Sequence, residues 1–279
     1  MPRFGIQCHV QVHTESLCPP AYPPTVSATR GRNMLKIIKR RLVLWLHSLL
    51  KGQDFVVHGV KVTLPRTVSE ELRYLLLRNG PYEDGEVALC RKMLSSGINV
   101  LELGGSLGVV SAVVRSIIGS EAVHVVVEAN NKLADVCLEN ASRSAVPGKT
   151  VLINAAIDYS GVDFVHFEEG GSSFDGRVSA HSKGVPIPTI TASECEGHFG
   201  GMPFALVCDI EGAEKDLVCH DRDFLSNCRS IVMEMHPTMY EAGQRDLDAV
   251  LSTLEHCGFQ ITDQVGDVFL FTREDNKQS

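Results

Sequence analysis

The stretch NVLELGGSLGVVS, residues 99–111, decides the fold. Val100 and Leu101 open a short apolar strand, Glu102 is the acid near its end, Gly104, Gly105 and Gly108 form a glycine turn, and Val109 and Val110 begin a new apolar run. Glycines between a strand and a helix let a ligand approach the backbone at the helix N-terminus. Downstream the patterns alternate. The strand at 99–103 feeds a helix near 108–118, AVHVVVE (122–128) feeds a helix at 131–144, and TVLINAAI (150–157) follows. FALVCDI (204–210) leads to a helix near 212–220, SIVMEMH (230–236) is another strand, and a helix covers 243–257. Several strands are rich in Val, Ile and Leu on both faces, as strands covered by helices on both sides must be. The last segments, FQITDQ and DVFLFTR, are joined by too few residues for a parallel crossover and must be antiparallel neighbours. The expected fold is α/β: a doubly wound, mostly parallel, Rossmann-like sheet of seven strands with an antiparallel terminal strand.

Upstream of the sheet an N-terminal helical and hairpin extension is expected. FVVHGVKVTL (55–64) predicts a hairpin turning at His58 and Gly59, and Thr67 with Glu70 predicts a capping box for a helix that stops at Gly80 and Pro81. EDGEVALCRKMLSSG (83–97) is the next helix, closed by Gly97. Residues 34–53 predict a basic amphipathic helix: Leu35, Ile38, Leu42, Trp45, Leu46 and Leu49 recur at helical spacing. No acid falls between Glu15 and Asp54, a window that holds Arg30, Arg32, Lys36, Lys39, Arg40, Arg41 and Lys51. Its uncharged run is too short to span a bilayer. The helix is expected to pack on the domain, with peripheral contact to an anionic membrane through residues 34–51 as the other reading. Residues 1–33, with Pro19, Pro20, Pro23 and Pro24, are expected to be disordered or loosely attached, and residues 54–279 to form the main domain. The polar excursion at 168–184 is expected to act as a lid.

A net charge of −8 argues against nucleic acid as a partner. Nine cysteines without a C-x-x-C pair read as reduced, mostly buried thiols, and hence a cytoplasmic setting. Cys8, His9, His13 and Cys18 match no standard zinc spacing.

Two cofactors suit the glycine turn. A dinucleotide wants G-x-G-x-x-G, but counting from Gly104 this chain has Ser106 and Val109 at the second and third glycines. S-adenosylmethionine fits better: Glu102 offers negative charge to the cationic methionine end, and Gly104, Gly105 and Gly108 admit the ligand to the backbone. Glu128, ending the second strand, can accept both ribose hydroxyls, a contact that fits either cofactor.

With these residues in place, the chain resembles the FkbM-type S-adenosylmethionine-dependent methyltransferases over about residues 54–272. GPYEDGE (80–86) is similar to the family's G-x-Y-E segment, which implies that Tyr82 and Glu83 fold over the cofactor. ELGGSLG resembles D-x-G-A-N-x-G, with Glu102, Gly105 and Ser106 in place of Asp, Ala and Asn. VVVEAN and LENAS resemble the second-strand acid, here Glu128 followed by Ala129, and a helix ending at Asn140. NAAIDYSG, with Ala156 and Ile157, resembles the segment that passes the adenine ring. CDIEGAEKDLV (208–218) is close to K-x-D-x-E-G-x-E with Cys208 near the usual Lys, and VMEMHP resembles E-x-H-P. The resemblance implies a class I methyltransferase domain that O-methylates a hydroxyl of a small molecule or sugar.

In a doubly wound sheet, ligands sit at the carboxyl ends of the strands where strand order reverses. That rule puts Asp209 and Glu211 beside the transferred methyl, with Glu234 and His236 on the same rim. Asp209 or His236 could be the general base, with Glu211 beside them; the same acids and His236 could instead hold Mg²⁺ or Mn²⁺. In the structural reading, Glu211 and Glu214 simply cap the helix opening at Gly212. His124, within a strand, reads as a satisfied core residue. The competing functions are an NAD-dependent oxidoreductase and a non-catalytic nucleoside-binding module of the same fold.

Overall fold

The structure is a computed structural model that describes residues 26–168, 177–179 and 184–273. Most of the expected lid at 168–184, and the Cys8–His9–His13–Cys18 group, lie outside the described residues. The chain divides into two units, residues 1–40 and 41–279. The first contributes, among the described residues, the opening turns of helix α1 (Val26–Lys51), which begins upstream of the expected position 34 and so takes in 26–33.

In the second unit, β1 (Asp54–Val57) and β2 (Val60–Thr63) pair antiparallel. The turn falls on His58 and Gly59, at φ 48° and 80°, the left-handed pair that a two-residue hairpin turn requires. Helix α2 (Glu70–Leu77) corrects the expected cap: Ser69, not Thr67, is the N-cap and accepts from the Leu72 N–H. The Val68 N–H is bonded back to the Pro65 carbonyl, so that turn delays the helix past Thr67. Helix α3 (Asp84–Met93) follows.

The large sheet is built from β3 (Asn99–Leu103), β4 (His124–Val127) and β5 (Thr150–Ile153), with helices α4 (Val109–Ile118) and α5 (Ala134–Ser142) between them. The segment expected as one strand over 150–157 breaks after β5. Its second part, β6 (Ala156–Ile157), leaves for a four-stranded sheet with β7 (Phe164–Glu168), β8 (Arg177–Ser179) and β9 (Val185–Ile190), in the order β6–β9–β7–β8. The Asn154 amide sits at the break and donates to the Glu128 and Ala129 carbonyls. After helix α6 (Ala192–Cys195) the large sheet resumes with β10 (Phe204–Cys208), helix α7 (Glu214–His220), β11 (Cys228–Glu234), helix α8 (Gln244–His256), β12 (Phe259–Val265) and β13 (Val268–Arg273). The order is β12–β13–β11–β10–β3–β4–β5, parallel except for β13, which runs against both neighbours. This is the expected seven-stranded doubly wound sheet.

Alternation within the strands divides the core. Leu101, Leu103, Leu206, Cys208, Ile231 and Met233 face the layer of α7 and α8, meeting Leu217, Leu247 and Val250. Val100, Ala205, Val207 and Val232 face Val87, Leu89, Val113 and Val114 of α3 and α4. Each such fully buried side chain contributes roughly 1.5–3 kcal/mol. A third cluster docks the extension: Phe55, Val57, Val62, Leu64 and Leu76 pack with Leu44 against Val109, Ala112, Leu133 and Val136. Fully buried Asn140 fastens it, accepting from the Thr63 N–H (2.7 Å) and donating to the Thr63 and Leu107 carbonyls (3.0 and 2.8 Å). Arg115 is buried at the opposite end of the strands, where its guanidinium donates to the carbonyls of Gly119, Ala122, Ala141 and Lys149 and to the Thr150 hydroxyl.

Candidate active site

Strand order reverses between β3 and β10, and the chain leaves β3 toward α4 on one face but β10 toward α7 on the other. A crevice at these strand ends follows from that divergence. The two exits nearly touch. The Asp209 N–H donates to the Leu103 carbonyl at 2.9 Å, and a Cβ on Gly104 (φ 87°) would stand 1.7 Å from the Asp209 carbonyl oxygen. Only glycine fits there. At Gly105 a Cβ would meet Cys137 Sγ at 2.5 Å and Val126 Cγ1 at 2.6 Å, so those side chains fill the space a methyl group would need. Gly108 is the N-cap of α4, with its N–H bonded to the Gly105 carbonyl. Three non-glycine residues around the crevice, Glu83, Ser106 and Glu211, adopt left-handed φ of 52°, 48° and 51°. Each such backbone costs on the order of 1–3 kcal/mol and persists only where its surroundings impose it.

Beneath the glycine loop lies a hollow of about 10 Å³, room for one water. Glu83, Glu86, Glu102 and Asp209 line it together with Gly104, Gly105, Val110 and Val207. Glu102, expected as a free negative charge, has both carboxyl oxygens engaged: Ser111 Oγ donates to Oε1 and His124 Nε2 lies against Oε2, each at 2.7 Å. Both partners are fully buried, and His124 Nδ1 has no hydrogen-bond partner, so this core histidine is only half satisfied. Glu128 is also committed to the backbone, accepting from the Ser106 N–H (2.5 Å) and the Asn130 N–H (2.6 Å). Burial raises its pKa against the opposing pull of those two donors. Burial likewise pushes the Glu83 carboxyl well up, and the Tyr82 phenol beside it.

The rim is organised by His236. Its Nδ1 is 2.9 Å from Glu214 Oε1, and its Nε2 lies 3.6 Å from Asp209, 3.7 Å from Glu211 and 4.0 Å from Glu234. Burial disfavours a charged imidazole, but the hydrogen bond that Nδ1–H donates to Glu214 and the surrounding acids outweigh it and raise His236 to about 9. Glu214 is completely buried and also accepts from the Gly212 N–H and the Tyr240 hydroxyl. It is therefore the anchor of His236 and not the expected cap: α7 opens at Glu214 itself, and its N-cap, Ala213, has no capping side chain. Burial, with Glu211, Glu86 and Glu214 nearby, pushes Asp209 up to about 7 against the pull of His236, and its Oδ1 is buried without a hydrogen-bond partner. Glu234 is raised to about 9 by burial, by sharing a hydrogen bond with Glu86 and by the charge of Asp209. Ligand atoms of Asp209, Glu234 and His236 lie within 4.8 Å of one another, close enough to face one cation.

Of the residues singled out in the sequence, Glu83, Glu102, Gly104, Gly105 and Asp209 thus surround one hollow, while Asp209, Glu211 and His236 share the adjoining rim. Ser106 and Glu128 join the loop to the end of β4. Ala129 and Ala156 pack elsewhere, in a small cluster with Val165, Phe167 and Ile187, and Ile157 turns into the main core. Glu86 was not anticipated; it lies in the first turn of α3, three residues after the N-cap Glu83. Tyr240 and the Ser111–His124 pair carry no local motif that would have revealed them.

Among known proteins, the family model described as the methyltransferase FkbM domain matches residues 108–261. No curated protein matches the chain. Among solved structures, the chain is similar to a TehB-like SAM-dependent methyltransferase from Corynebacterium glutamicum at 12% identity, covering 74% of this chain and 95% of that one with a TM-score of 0.42. It is similar to Aeropyrum pernix fibrillarin with natively bound S-adenosyl-L-methionine at 16% identity, covering 64% and 67% with a TM-score of 0.37. A protein of the NADB-Rossmann superfamily from Streptococcus agalactiae is similar at 13% identity, covering 67% of each chain with a TM-score of 0.39.

Proposed function

The chain belongs to the FkbM-domain methyltransferases, and from that membership we propose that it moves the methyl group of S-adenosylmethionine to a hydroxyl oxygen of a small molecule or sugar. The observation that carries the oxygen acceptor is Asp209: a carboxyl held near 7 at the end of β10, beside the glycine loop, is poised to take a proton at neutral pH. A hydroxyl needs such a base because its own pKa lies far above neutrality. His236, held as an imidazolium, has no free lone pair to act as the base. It is instead the positive partner that fixes the acids around it.

The chain's residues suit the donor. An ammonium group is about the size of a water; seated in the hollow under Gly104 it would meet the Glu83 and Glu86 carboxyls as acceptors and favour their ionised forms, the part expected of Glu102. Glu128 keeps unused lone pairs for ribose hydroxyls even with two backbone donors bound. Val109, where a dinucleotide fold wants its third glycine, is buried among core residues, which favours the methyl donor over NAD. When bound, the donor supplies an activated methyl and its own thioether leaving group. Asp209 would face the acceptor hydroxyl and take its proton as the oxygen receives that methyl. A net charge of −8 fits an acceptor other than nucleic acid, and cysteines that are all free among the described residues suit the cytoplasm.

A second reading rests on the Asp209–Glu234–His236 trio, which could hold Mg²⁺ to acidify the acceptor. The cation would first have to displace the His236 proton. A transfer assay with labelled donor against sugars and alcohols tests both. Asp209→Asn should lower kcat by at least ~100-fold with donor affinity intact in calorimetry. Turnover abolished by EDTA and restored by Mg²⁺ would replace the base with the cation. Binding of NAD and not the donor would indicate an oxidoreductase, and donor binding without transfer to any acceptor a nucleoside-binding module.

A further inference from the structure

We propose that helix α1 docks the protein on an anionic lipid bilayer, lying in the interface with the helix parallel to the surface. Within the second unit the helix is held by one side, through buried Leu44 and the tilted contact of the His47 ring with Phe55 at 4.3 Å between ring centres. The other side is apolar and open: Leu42, Trp45, Leu46, Leu49 and Leu50 are 54, 58, 46, 64 and 80% exposed. At 100° per residue, Leu42, Trp45, Leu46 and Leu49 fall within one third of the helix circumference. In the first unit, Met34, Leu35 and Ile38 are likewise exposed. A contiguous apolar stripe of this length on the surface of a folded chain marks an interaction face. No described helix is long and apolar enough to cross a membrane, so the stripe fits a surface-lying helix and not a span.

Charge selects the occupant. Leu35, Ile38, Leu42, Trp45 and Leu49 also follow the 3–4 spacing of a coiled-coil seam, which a second copy of the helix could complete. The helix, however, carries seven cations, Arg30 to Lys51, and no acid; Lys39 flanks the seam on one side, and Arg41, on the other, is paired with Glu70. Two copies would set cation against cation. An anionic lipid surface instead receives the stripe and neutralises its flanks, and the chain's overall negative charge makes this basic helix the element that can approach such a surface. Trp45 stands in the stripe as an amphipathic ring of the kind that sits at headgroup level.

Trp45 is the only tryptophan of the chain, so its fluorescence reports on this face alone. The full-length protein is mixed with vesicles of phosphatidylcholine, with or without phosphatidylserine, and followed by emission and flotation. The expected result is a shift of emission to shorter wavelength and flotation only with phosphatidylserine, both weakened as salt is raised. Leu42→Glu with Leu49→Glu, on the open side, should cut the floated fraction at least ~10-fold while the melting temperature holds. Lys36→Glu with Lys39→Glu should weaken flotation on phosphatidylserine vesicles. No flotation with phosphatidylserine, or equal flotation on the neutral vesicles, overturns the proposal. So does a lipid-free emission shift that vanishes on dilution together with a sedimenting dimer, which would assign the face to a second copy.

Discussion

Asp209 and His236 face each other across 3.6 Å, and both are raised above their ordinary values, to about 7 and about 9, so that together they bracket one pH window. Asp209, raised to about 7, must lose its proton to serve as base, so kcat/KM should climb as pH rises through about 7. His236 must keep its proton to hold the acids, so the rate should fall again as pH rises through about 9, a limb that belongs jointly to Glu234 and His236. A pH–rate profile measured at low acceptor concentration checks both limbs, and Asp209→Asn should remove the lower one. Away from the chemistry, Glu102 holds the buried Ser111 and His124 side chains. Glu102→Ala should strand His124 with both ring nitrogens unpaired and cost about 2–3 kcal/mol in urea unfolding, whereas Glu102→Gln should cost less. The acids at 102, 128 and 209 are visible as strand ends in the sequence. What they bond to is not, because Ser111, His124 and the Ser106 N–H reach them through three-dimensional packing.

At the scale of elements, the glycine loop between β3 and α4 is pressed from two directions, by the exit of β10 and by helix α5. Gly104→Ala would drive a methyl into the Asp209 carbonyl, which is backbone and cannot yield, so at least ~2 kcal/mol should be lost in thermal unfolding. Gly105→Ala meets side chains instead. Trimming one of them, Cys137→Ala, should recover part of the loss, and the double-mutant cycle should give a coupling of about 1 kcal/mol or more. The alternation of strands and helices was legible because both-face apolar strands have few alternative uses. Boundaries were not: the capping box at Thr67 yielded to a turn anchored on Pro65, and the run at 150–157 split where Asn154 latches onto the β4 exit. Both outcomes depend on hydrogen bonds that residue spacing does not encode.

For the molecule as a whole, donor binding and folding should be linked. If the crevice holds the donor in the folded state only, donor at 100 times its Kd should add about 2.7 kcal/mol of stability, read as a rise in melting temperature. The sheet, the extension and the rim were foreseeable as modules, but their joints were not. Buried Arg115 ties four carbonyls and one hydroxyl below the sheet, and no motif predicts an arginine there. The amide of Asn140 has a consequence of its own. It clasps both backbone polar groups of Thr63 and the carbonyl of Leu107, so the hairpin and the ligand loop are joined through one side chain 77 residues from the first of them. A fragment begun at β3 would keep every strand of the large sheet yet leave that clasp empty-handed. The smallest piece able to stand alone must therefore include the hairpin, for the groups Asn140 holds and the apolar cluster around them, and α3, which covers one face of the sheet.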